Sequence, residues 1–281
     1  MLFRSHNTQP WLFHITDEAV ELHADRRRAM PAVDPGDREL IMSCGAALLH
    51  LRIALHHFGY AGEVTLFPDK NRPDYLARVG LGLPAPEPPE DEYLFRTIPH
   101  RRTYRFKFDD HPVPDPLQAA LLEDATMEGA RLHLIGSRAE QDAVADLVAA
   151  GDAILDENIQ FRDELAAWMR ANRDLSGDGM PGYAFGFGDV ASHFVPFLIR
   201  KLDLLQGQAE KDRMLAASAP LLAVLETSAD TPAAWLAAGQ AVARILLRAG
   251  AQGVWASFLN WPITLPELRR CNWSVTACLR T

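Results

Sequence analysis

The sequence predicts an α+β fold. Helix-period patterns and short strand-length apolar runs are interspersed along the chain, and 281 residues with 48% apolar side chains suffice for one large domain or two of ordinary size. A globular core can therefore close.

Residues 11–15 (WLFHI) and 20–24 (VELHA) are apolar-rich runs around Thr16, Asp17 and Glu18, which reads as a hairpin with a short polar loop. Asp34-Pro35 then opens a helix. Asp34 suits the cap and Pro35 the first helical position, while Ile41, Cys44, Leu48, Leu51, Leu55 and Phe58 recur at helical spacing until Gly59 ends it. Residues 63–67 (EVTLF) read as a strand. Between Leu83 and Glu92 stand four prolines and four acids, which resist helix and central strand alike, so the stretch reads as a linker.

Helical patterns at 115–128 and 138–172 flank a strand, ARLHLIG. A glycine-rich loop, SGDGMPGYAFGFGD, leads to a helix near 189–205, then to a strand (PLLAVLET) and a long helix at 232–250. This last helix has a counterpart. Gly45 begins GAALLHLRIALHHFG and Gly239 begins GQAVARILLRAGAQG, each ending at a glycine 14 positions on; in that register Leu48 meets Val242, Leu51 meets Ile245 and His50 meets Arg244. Duplication explains the match, and so do two ordinary amphipathic helices with C-terminal glycines.

A net charge of −9 and a pI near 5.6 argue against nucleic acid or an anionic membrane as partner, because phosphate-rich surfaces reward clustered Lys and Arg. Any anion site must be local. Cys44, Cys271 and Cys278 form no CxxC and leave an odd count, which fits a reducing compartment, so a cytoplasmic location is expected. The N-terminus has no apolar h-region, and no apolar run approaches the roughly 20 residues of a spanning helix.

Two segments carry chemistry. Thr97 to Phe108 (TIPHRRTYRFKF) gathers Arg101, Arg102, Arg105 and Lys107 in an acidic protein; guanidinium forks pair with phosphate oxygens and Thr103 adds a hydroxyl. A solvated charged turn would look the same. Ser5 to Trp11 (SHNTQPW) offers Asn7 and Gln9, whose planar amides hold donors and acceptors together, as a ring edge with carbonyl and N–H groups requires. A capped turn into the first strand also accounts for it.

Together these segments resemble the nitroreductase superfamily of flavin proteins: HNTQPW is similar to its N-x-Q-P-W loop along the isoalloxazine ring, and RRTYR to its R-R-S-x-R phosphate motif. Here the loop precedes the arginines, the reverse of ordinary nitroreductases, in which two subunits share each flavin. That order resembles the tandem single-chain Acg-like branch of NAD(P)H nitroreductases, as do ADRRRAMPAVDPGDREL, SCGAALLHLRIAL, GDGMPG, TPAAWLAAGQAVARILL and NWPITLPELR.

The resemblance implies a pseudo-dimer of two fused repeats around long central helices, residues 1–82 and 96–281, joined by a linker at 83–95. It implies FMN as cofactor, held by His6, Asn7, Thr8, Gln9, Arg101, Arg102, Thr103 and Arg105, with NAD(P)H as electron donor and a nitroaromatic or quinone-like small molecule as acceptor. Flavin N5 carries the chemistry, so no catalytic side chain is expected. A monomer or a homodimer is implied. A lid over the flavin would make the chain an FMN store instead. Both ends depart from the family, with Phe3 and Arg4 where Pro and Ser are usual and RRCNWSVTACLRT in place of the usual tail, so a truncated, flavin-free remnant is the other alternative.

His50, His56 and His57 share a helix without carboxylate or cysteine ligands at a matching spacing, so no metal is expected. GYAFGFGD lacks the strand, helix and acid of a dinucleotide fold; a bending cover with Tyr183, Phe185 and Phe187 over an apolar ligand, or a loop packed on the core, fits it. Asp152, Asp156 and Glu157 read as a solvated helix face.

Overall fold

Strands β1 (Trp11–Ile15) and β2 (Ala19–Ala24) form the expected antiparallel hairpin, Trp11 opposite Ala24 and Ile15 opposite Val20. The computed structural model describes residues 6–84, 86, 88–104, 106–201, 208–265, 268 and 273–280. Helix α1 (Arg38–His57) begins later than the Asp34-Pro35 pair suggests. Asp34 still does the capping: its carboxylate accepts from the amides of Arg38 at 2.8 Å and Leu40 at 2.9 Å, while Asp37 turns the chain at φ 55°. Gly59 ends the helix at φ 81°.

β3 (Val64–Leu66) and β4 (Tyr75–Gly80) complete the first sheet, antiparallel in the order β1-β2-β4-β3. β4 was not legible in the sequence because Arg78 interrupts its apolar run. α2 (Pro89–Thr97) corrects the linker reading. Pro89 stands at the first helical turn, where its missing N–H costs nothing, and Glu90, Asp91 and Glu92 face the positive end of the helix dipole. Residues that read as breakers are a helix start.

α3 (Asp115–Met127) and β5 (Arg131–Ile135) follow as expected. The long pattern at 138–172 is two helices, α4 (Arg138–Asp156) and α5 (Ile159–Ala167), because the Asn158 side chain accepts from the amides of Gln160 and Phe161 and restarts the chain there. The two-residue strands β6 (Met169–Arg170) and β7 (Met180–Pro181) pair in parallel across the first half of the glycine-rich loop. α6 (Asp189–Ser192) and α7 (Val195–Lys201) stand where one helix was expected, and residues 202–205 of that expectation lie outside the described residues.

α8 (Gln208–Ser218), β8 (Leu221–Glu226), α9 (Pro232–Ala251), β9 (Trp255–Phe258), α10 (Trp261–Thr264) and β10 (Trp273–Arg280) complete the chain. The second sheet is antiparallel in the order β5-β8-β10-β9. Its central strand β8 is buried from Leu221 to Leu225, which is why its sequence is a continuous apolar run rather than an alternating one.

α1 and α9 cross at the centre. Met42, Ala46, Leu49 and Ile53 join the core that α9 makes with α3 and the second sheet; Leu40, Ile41, Cys44 and Leu48 face the first sheet. α1 alone among the described helices is long and apolar enough to cross a membrane, and it lies between the first sheet and α9. A separate cluster of Met30, Leu155, Phe161, Leu165, Met169, Met180, Val195 and Ile199 supports the loop between β6 and β7. Asp152 is 3% exposed, which corrects its assignment to a solvated face; Glu157 is exposed as expected, and the Asp156 side chain lies outside the described residues.

Candidate functional site

Three non-glycine residues within four positions, His6 (φ 52°), Asn7 (φ 56°) and Gln9 (φ 51°), occupy the left-handed region. Each costs of order 1 kcal/mol, so the surroundings must hold the loop in place. They do so through the glycine-rich segment. Asn7 Nδ2 donates to the carbonyls of Gly177 at 3.3 Å and Gly179 at 3.1 Å, Gln9 Nε2 donates to Gly177 at 2.7 Å, and the Gly179 amide returns a bond to the Asn7 carbonyl at 3.0 Å.

Gly179 is required at that contact, with φ 72° and a Cβ that would fall 2.5 Å from the Trp168 carbonyl oxygen. Arg28 bolts the two segments together. Its Nη1 donates to the Thr8 carbonyl at 2.7 Å and to Asp178 Oδ2 at 2.8 Å, and Arg170 Nε reaches Asp178 Oδ1 at 3.0 Å. Burial alone would raise the Asp178 pKa, but the hydrogen bonds from Arg28, Ser176 and Arg170 outweigh it and hold the carboxyl below its usual range. Thr8 and His6 are buried, His6 Nδ1 lying 3.1 Å from Met30 Sδ.

This changes the chemistry expected of the two amides. Both N–H groups of Asn7 and one of Gln9 are spent on Gly177 and Gly179, so what the loop presents is chiefly acceptors, Asn7 Oδ1 and Gln9 Oε1, which have no partner among the described residues. The glycine-rich segment is tied down rather than loose. Beyond it, the Asn172 side chain accepts from the Tyr183 amide at 2.7 Å and donates to the Phe187 carbonyl at 3.0 Å; Tyr183 is exposed, Phe187 packs on the supporting cluster, and the Phe185 side chain lies outside the described residues.

The second segment leaves the end of α2. Arg101 donates its amide to the Thr97 carbonyl at 3.0 Å, its charge helps to lower the pKa of His50 on α1, and burial draws its own pKa down to about 10. Arg102 is exposed, with its guanidinium 4.9 Å from the Trp255 ring centroid, and Thr103 forms a β-bridge with Ala256 of β9. Arg105 lies outside the described residues.

The two segments meet different neighbours. Cys44 Sγ donates to the Pro10 carbonyl at 3.2 Å, and the Arg101 charge acts on His50 of the same helix. Cys44 and His50 are six residues apart, about 9 Å along the helix axis at 1.5 Å per residue. Arg28, Asp178 and Arg170 were not singled out in the sequence as site residues; the signal was the GDGMPG spacing, whose glycines accept the amides. Cys44 is a buried free thiol with its pKa raised by desolvation, while Cys271 and the Cys278 side chain lie outside the described residues. Among the described residues no group of three or more His, Cys, Asp or Glu side chains is placed to hold a metal ion.

No family model matches the chain. It is 30% identical over 264 residues to "Putative NAD(P)H nitroreductase Rv3131" of Mycobacterium tuberculosis, covering 94% of this chain and 74% of the relative. It is 32% identical over 178 residues to "Putative NAD(P)H nitroreductase acg" of the same organism, covering 61% of this chain and 52% of that one. A solved FMN- and NADPH-dependent nitroreductase, NfnB of a sphigopyxis strain, aligns over 66% of this chain and 87% of its own at 17% identity and a TM-score of 0.42. The sequence relatives decide the assignment: the chain belongs to the NAD(P)H nitroreductase family.

Proposed function

We propose that the chain binds one FMN and transfers reducing equivalents from NAD(P)H to a nitroaromatic or quinone-like acceptor, with two fused repeats forming a single-chain pseudo-dimer. The observation that supports this reading is the strained loop at His6–Gln9, braced by Gly177, Gly179 and Arg28, whose sequence resembles the family's flavin loop. A cytoplasmic monomer or homodimer without nucleic-acid or membrane partners completes it.

The residues present fit the cofactor in two respects. Asn7 Oδ1 and Gln9 Oε1 are acceptors for a ring N–H, and Arg101, Arg102 and Thr103 are donors of the kind a phosphate dianion takes. FMN, when bound, supplies hydride chemistry at N5. The protein's own task is then to orient: Arg28 and Asp178 fix the loop, the loop accepts the ring edge, and the desolvated guanidinium of Arg101 meets the phosphate charge at lower solvation cost than an exposed cation would.

Gly177–Gly179 lying directly against the loop supports a second reading, an FMN store with little turnover. Anaerobic titration of the FMN-loaded chain with NADPH separates the two. Bleaching of the flavin band within seconds, with recovery on adding a quinone, supports the reductase; a band unchanged by NADPH but bleached by dithionite supports the store.

A further inference from the structure

A cavity of about 130 Å³ lies at the C-terminal end of α1, walled by Arg52, Leu55 and His56, by Tyr60, and by Val64 and Val79 of the first sheet. It is separate from the loop at Pro10: His56 is twelve residues from Cys44, about 18 Å along α1. Its size is close to the ~150 Å³ of an engineered cavity that holds benzene.

Its polar wall is built from behind. Arg52 Nη1 donates to Glu128 Oε2 and to Gln240 Oε1, both at 2.7 Å, so its Nε and Nη2, which have no partner among the described residues, form the edge of the fork that takes a carboxylate bidentately. The His56 ring is paired through Nδ1 with Asp91 Oδ2 at 2.5 Å, and the Tyr60 hydroxyl is the second donor at this wall. Glu128 and Asp91 are themselves buried, so the Arg52 and His56 side chains are fixed before any ligand arrives. Leu55, Val64 and the fully buried Val79 supply an apolar wall.

We propose that this cavity is a binding site for a small monocarboxylate with an apolar body of about six carbons, the carboxylate on Arg52 and the body against Leu55, Val64 and Val79. Nothing in the flavin reading requires it.

Benzoate is the probe, titrated into the full chain with and without FMN by calorimetry and by hydrogen–deuterium exchange. Saturable millimolar binding is expected, with exchange slowed at residues 60–64 and 79, independent of FMN, and at least about tenfold weaker for the neutral isostere benzamide. Val64→Phe fills the cavity without touching the charged network and should weaken benzoate at least tenfold while the melting temperature holds. Should Val64→Phe fail to fold, Tyr60→Phe is read instead, with an expected loss of severalfold. Equal affinities for benzoate and benzamide, unchanged binding in the variant that folds, protection confined to residues 6–9 or 101–103, or no saturation by tens of millimolar would each overturn the proposal.

Discussion

Gly45 and Gly239, each the eighth residue of a 20-residue helix, lie against one another where α1 crosses α9: a Cβ on Gly45 would fall 2.1 Å from the Leu236 carbonyl oxygen, and one on Gly239 1.9 Å from that of Met42. The reciprocity gives a sign test. Helix propensity alone favours alanine over glycine by about 1 kcal/mol. The backbone contact opposes it, and overpacking costs about 1–3 kcal/mol. Gly45→Ala and Gly239→Ala should therefore each lower the urea midpoint. A raised midpoint would mean that the helices do not cross there.

The arginine segment is tested by comparing FMN with riboflavin. Arg101→Ala should weaken FMN by about 1.5–3 kcal/mol, the range for hydrogen bonds to charged groups, and leave riboflavin nearly unchanged. Arg102→Ala should cost less, because its guanidinium is exposed over Trp255 and screened by solvent. Fluorescence titration of both ligands reads the difference. Equal losses would make the arginines structural.

Loop strain gives a contrasting pattern. Asp178→Ala removes the anchor for Arg28 and Arg170, so the loop at His6–Gln9 loses its brace. FMN and riboflavin should then weaken together, by about tenfold, since the ring is common to both. A loss confined to FMN would place Asp178 at the phosphate instead.

Between pH 4 and 6.5 the half-buried His50 and the buried Asp34 make opposing contributions to stability. Burial, then the Arg101 charge, lowers the His50 pKa to about 4 from 6.5, so its contribution is present above pH 6.5 and lost as the pH falls towards 4. Burial, then the Glu39 charge, raises Asp34 to about 7 from 3.8, so its contribution is full below 3.8 and lost as the pH rises to 7. Each slope approaches 1.4 kcal/mol per pH unit. Relative to the parent chain, His50→Gln should make stability fall more steeply as the pH rises through this window, and Asp34→Asn should tilt it the other way; denaturation at pH 4.5, 5.5 and 6.5 checks both.

Much of the framework was legible because it rests on local rules. The first hairpin, α1, β8 and α9 declare themselves by period, and the glycine pair by spacing. What was missed depends on context. α2 hid in prolines and acids that mark a helix start as readily as a linker, β4 hid behind Arg78, and Asp152 looked solvated until α4 was packed. At the site, the residue types were legible but their partners were not: no spacing rule shows that Asn7 and Gln9 spend their N–H groups on Gly177 and Gly179, 168 to 172 positions away. That pairing is tertiary.

The flavin content of the purified full chain tests the central claim most directly. After loading with excess FMN and desalting, absorbance near 450 nm against protein concentration should give about one FMN per chain, since the loop at His6–Gln9 and the arginines at 101–105 each occur once. A ratio near two, or a chain that retains no flavin, would contradict it.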